Sequence, residues 1–144
     1  MSAYRFVNKK VTPITDEQEL ETLQDAVNKS ISSVQKHLQR SLEMLSDRQK
    51  PDYRNSVKEA ISAVECQVKL MLGEDKGTLG SLLGKIDGLH VAQKEAFKKL
   101  YGYTSDEGGI RHSLLEEDKI DFEDAKYMLV VCSAFVNYLT GKHK

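Results

Sequence analysis

The residues best suited to chemistry lie close together in YTSDEGGIRHSLLEED, positions 103–118. Gly108 and Gly109 can reach backbone angles that other residues avoid and let a ligand approach the main chain. Just after them, Arg111 supplies a permanent cation and His112 an imidazole that titrates near neutrality. A phosphate suits that set. Next to the arginine charge and near a helix start, His112 is expected to stay neutral, because both features disfavour imidazolium. It could then take the proton of a ribose 2′-hydroxyl, while Arg111 and the N–H groups of the glycine turn hold the adjacent phosphate. That is a metal-independent route to RNA cleavage. The same residues also fit an ordinary turn, with Arg111 paired to Glu116 or Glu117 and His112 acting as a cap, and so short a pattern leaves both readings open.

Other chemistries find less support. His37, His90 and His143 lie neither in pairs nor in acidic clusters at metal-ligand spacing, so no metal is expected. Cys66 and Cys132 both fall inside helical patterns, and Cys132 sits at the centre of an apolar stripe, which predicts a buried, inert thiol. TLGSLLGKIDG contains a Gly-Lys pair, yet its glycine spacing does not match a phosphate loop and no strand precedes it. No cofactor is expected.

Composition limits what the site can belong to. With 144 residues the chain is long enough to bury a core without disulfides or metal. Its net charge of -1, from 21 basic and 22 acidic residues, sets up no global field for nucleic acid or an anionic membrane, so a polyanion must be held locally. Nothing signals DNA in particular. The absence of a long apolar run or a leader-like N-terminus predicts a soluble, cytoplasmic protein with no membrane partner.

The elements that must position these residues are mostly helical. YRFVNKKVTPI, residues 4–14, alone has strand character, and residues 1–14 are expected to form an extended arm or hairpin ahead of a helical domain at 15–144. From Thr15 the apolar residues Leu20, Leu23, Val27, Ile31, Val34, Leu38, Leu42 and Leu45 recur every three or four positions, which predicts one long helix ending near Pro51. A second helix, about 52–72, carries Val57, Ile61, Val64 and Val68 on one face and stops at Gly73. Opposite that stripe runs a polar row of Asn55, Glu59, Ser62 and Cys66, edged by Arg54, Lys58 and Glu65. Such a row is either a solvated face or part of a site that needs a second element to meet it. A glycine-interrupted region follows, and a last helix capped by Asp121 runs to Gly141. The expected fold is an all-α bundle of four or five helices.

PDYRNSVKEAISAVE (51–65), KGTLGSLLGKI (76–86), FKKLYGYTSDEGGIRH (97–112) and DFEDAKYMLVVCSAFVNYL (121–139) together resemble the HEPN-type helical domain of the AbiJ abortive-infection group. The resemblance covers about residues 51–140 in consecutive order. It implies a four-to-five-helix bundle, commonly a homodimer, of a class rich in metal-independent ribonucleases of antiphage and toxin systems. On that basis Arg111 and His112 become the candidate catalytic pair, and Arg54, Asn55, Glu59, Gly108 and Gly109 the candidate substrate-binding or supporting residues. One departure bears on activity. The group's nuclease motif places its histidine four to six residues after an arginine on one helix, whereas Arg111 and His112 are adjacent. Either the site is assembled across two helices, or this branch is a non-catalytic module for RNA, a nucleotide or a protein. Members also commonly carry sequence ahead of an arm like YRFVNKKVTPIT, which makes the chain either the C-terminal part of a longer protein or a short form.

Overall fold

The structure is a computed structural model that describes residues 5–7, 10–12, 17–29, 32–104 and 120–142. Its order is β1 (Arg5–Val7), β2 (Lys10–Thr12), α1 (Glu17–Lys29), α2 (Ser32–Ser46), α3 (Tyr53–Leu72), α4 (Leu79–Leu83), α5 (Val91–Thr104) and α6 (Phe122–Lys142). The two strands pair antiparallel, with Arg5 opposite Thr12 and Val7 opposite Lys10. The rest is a helical bundle.

The bundle is organised around α3 and α6. These helices start together, where the Tyr53 and Phe122 rings meet edge to face with centroids 6.3 Å apart. They end together around a small cavity lined by Met71, Leu72 and Lys142, so they run parallel. Between those ends Val57, Val64 and Val68 of α3 and Met128, Leu129, Cys132, Val136 and Leu139 of α6 are fully buried. Their spacing of three, four and seven residues is what turns each apolar stripe into one side of the core. Burying side chains of this size contributes about 1.5–3 kcal/mol apiece.

Helix ends are set by short-range chemistry that the sequence announces. The Asp52 carboxylate accepts from the Asn55 N–H at 3.1 Å and caps α3. Gly73 closes it with φ +67°, its N–H and that of Glu74 returning to the carbonyls of Leu70 and Lys69. At α6, Asp121 and Asp124 cap reciprocally, each carboxylate accepting from the other's N–H at 3.0–3.1 Å. His90 is a cap as well. Its Nδ1 accepts from the Ala92 N–H at 3.0 Å at the start of α5.

Two expectations need correction. The continuous stripe from Leu20 to Leu45 lies on two helices, α1 and α2, with residues 30 and 31 outside the described residues. Leu23 and Ala26 of α1 are buried, and α1 is tied to α6 where the Asn137 side chain donates to the Thr22 carbonyl at 3.1 Å. By contrast α2 packs along α3. Apolar periodicity is blind to such a change of partner. The second correction is the count. Six helices are present among the described residues rather than four or five, and the glycine-rich region divides near its GLH segment, as its sequence suggests, into the one-turn α4 and the longer α5. In α4, Leu79, Leu82 and Leu83 are all buried, so packing holds what propensity would not.

Candidate functional site

The polar row of α3 is only partly a solvated face, because α2 runs antiparallel to it and meets it at Glu59 and Cys66, with the neighbouring Ser56 buried between the two helices. Nearest the α2–α3 turn, Ser41 and Ser56 are both buried and bond reciprocally. Each hydroxyl donates to the other residue's carbonyl at 2.7 Å, and the two oxygens lie 3.0 Å apart. One turn along α2, His37 Nδ1 lies 2.6 Å from Glu59 Oε2. An ionised carboxylate only accepts, so in this contact the hydrogen is carried by His37 Nδ1. A turn further, the Cys66 thiol donates to Ser33 Oγ at 3.3 Å. Ser33, His37 and Ser41 thus form an i, i+4, i+8 row that answers the row on α3.

His37 is the residue that sequence reasoning passed over. Its signal was the four-residue spacing from Ser33 and Ser41, which becomes visible only when two registers are laid side by side. Beyond it a cleft of about 410 Å³ is lined by His37, Ser62, Glu65, Cys66, Lys69, Leu70, Glu74 and Asp75. Lys69 is matched there by Glu65 at 3.5 Å, and Glu74 is held by Lys85 at 3.1 Å. Carboxylates predominate, which makes the cleft a poor host for phosphate.

The other candidate residues sit at the opposite end of α3. Asn55 is exposed and donates its side-chain amide to Asp52 Oδ2 at 2.7 Å, so it reinforces the cap and keeps its own carbonyl oxygen as an acceptor. Arg54 is half-buried beside it. Glu59, one turn on, is engaged by His37, so the row of Asn55 and Glu59 divides between the helix end and the α2 seam. The Tyr53–Phe122 contact brings the first turn of α6 to this same end. Gly108, Gly109, Arg111 and His112 lie outside the described residues, in the stretch 105–119 that joins Thr104 of α5 to Ile120.

Cys132 lies at the centre of the core, and burial pushes its thiol well above the usual range. Among the described residues no group of three or more His, Cys, Asp and Glu side chains could hold a metal ion. No described helix is long and apolar enough to cross a membrane. No protein-family model matches the chain, and no curated protein or solved structure matches it significantly.

Proposed function

We propose that this chain is a HEPN-like, RNA-directed domain of the abortive-infection type, with a metal-independent endoribonuclease site assembled across two helices. In this reading His112 is the general base or acid and Arg111 the phosphate binder, with Gly108 and Gly109 as supporting residues. Arg54 and Asn55 contribute from the start of α3. The observation that supports this reading is the Tyr53–Phe122 contact, which sets the first turn of α3 beside the first turn of α6, ten residues along the chain from His112. A composite site removes the need for arginine and histidine to be spaced along one helix. A second reading, a non-catalytic RNA or nucleotide module, is favoured by the Asn55 amide being committed to Asp52.

The test is gel analysis of mixed cellular RNA with EDTA present. The nuclease reading expects cleavage that falls by about 10²–10⁴ in His112→Ala with the helical circular dichroism intact. RNA binding should survive that change, whereas Arg111→Ala weakens binding and turnover together. Intact RNA throughout, with binding retained, leaves the module. Cleavage undiminished in His112→Ala overturns the mechanism.

A further inference from the structure

Helix α1 is held on α6 by a different kind of face from the one that packs on α3. At about 100° per residue, Lys126, Ser133 and Asn137 fall within about 40° of one another on the surface of α6. Two of them reach α1. The Asn137 side-chain amide donates to the Thr22 carbonyl at 3.1 Å, and Lys126 Nζ lies 3.8 Å from Glu19 Oε1. Ser133 stands between them along the helix and is fully buried. On the α1 side, Leu23 and Ala26 are the buried side chains among the described residues.

The hydrogen bonding of this polar row is incomplete. Ser133 Oγ and Asn137 Oδ1 are both buried, and neither meets a hydrogen-bond partner among the described residues. By contrast the buried hydroxyls of the α2–α3 seam, Ser41 and Ser56, are both paired at 2.7 Å. A buried polar atom without a partner has given up water for nothing, and here that loss falls on the docked state of α1. Lifting α1 returns both atoms to water. The polar contacts that lifting breaks are few: one bond from Asn137, and an ion pair that at 3.8 Å is long for direct contact. Lys126 keeps Glu123 at 3.3 Å whether or not Glu19 is present. What holds α1 down is the burial of Leu23 and Ala26, and because α2 is a separate helix packed along α3, α1 can part from α6 without it.

We infer that α1 is a latch, which closes over the polar row of α6 and opens as a unit while α3 and α6 stay packed. Openings of this kind draw on the least stable elements of a fold, and a face with unpaired buried atoms is one physical source of that weakness. The inference is independent of the RNA-directed reading. Lys126 connects the latch to the end of the bundle where α3 and α6 start together, since its Nζ lies 5.8 Å from the centroid of the Phe122 ring, the ring that meets Tyr53. Release of Glu19 therefore changes the surroundings of a cation at that shared start.

The experiment is native-state hydrogen exchange of the full chain, read peptide by peptide by mass spectrometry. Amides of α1 are expected to exchange through an opening that leaves those of α3 and α6 protected, and to exchange faster as salt screens the Glu19–Lys126 pair. Glu19→Gln should remove most of that salt response. Ser133→Ala takes away a hydroxyl that closure leaves unpaired, and should slow exchange in α1 by about tenfold. Exchange of α1 only together with α3 and α6, at one common opening free energy, overturns the proposal. So does exchange in α1 that is unchanged or faster in Ser133→Ala, because the hydroxyl then has a partner, a buried water included, while α1 is closed.

Discussion

His37 and Glu59 are joined at 2.6 Å across the α2–α3 seam, with the two side chains 29% and 21% exposed. Partial exposure screens the pair, so its contribution is that of a charge-assisted hydrogen bond reduced by solvent, about 1 kcal/mol. His37→Ala and Glu59→Gln should each destabilise the fold by about that amount in urea titrations. In the double variant a coupling of about 0.5–1 kcal/mol is expected, and additive losses would mean that the two residues act independently.

Ser41 and Ser56 should be sensitive to size as well as to hydrogen bonding. Their hydroxyls sit where two helices approach closely enough for reciprocal bonds of 2.7 Å to the facing carbonyls. Ser41→Ala removes the bond that the Ser41 hydroxyl donates, leaves the one from Ser56 to the Ser41 carbonyl, and should cost about 1 kcal/mol. Ser41→Val adds volume where there is none to spare and should cost about 1–3 kcal/mol, with both figures read from denaturation midpoints. A valine variant no worse than the alanine variant would show that the helices can move apart freely.

Much of the fold was legible because it is written locally. Asp121 as a cap, Gly73 as a stop and the apolar faces of α3 and α6 each depend on residues within a turn or two, and each is found as expected. The division between α1 and α2 was not legible, since spacings of three and four carry on through a change of packing partner. The sequence allowed a second element to face the row that holds Glu59, but not that it would be α2 or that His37 would be the partner, because that depends on the register of two helices. Of the candidate site, the sequence gives the residue types, whereas the adjacency of the α3 and α6 first turns depends on a ring contact between residues 69 positions apart.

Arg54 and Asp52 should separate binding from stability at the start of α3. If Arg54 contacts an RNA phosphate, Arg54→Ala weakens binding to all sequences alike and lowers the salt slope by about 0.7, the increment of one single-strand phosphate contact. Asp52→Ala removes the cap and should cost about 1 kcal/mol of stability while leaving that slope unchanged. An unchanged slope in Arg54→Ala would remove this residue from the proposed site.

Cys132 should make the fold sensitive to alkali. Burial at the centre of α6 disfavours the Cys132 thiolate and holds the thiol protonated in the folded chain well above its usual range. Above about pH 8.5 the unfolded chain gives up this proton and the folded chain keeps it. The unfolded state then binds fewer protons, so this residue's contribution to stability is complete at neutral pH and falls by up to about 1.4 kcal/mol per pH unit as the solution becomes more alkaline. Lysines and tyrosines titrate in the same range, so the comparison is with Cys132→Ala, whose stability should decline less steeply between pH 8.5 and 10. Thiol labelling provides the second readout: Cys66, part-exposed beside Ser33, should react in the native chain, and Cys132 only after denaturation. Equal alkaline slopes for the two proteins, or prompt labelling of both native thiols, would show that the centre of α6 admits solvent.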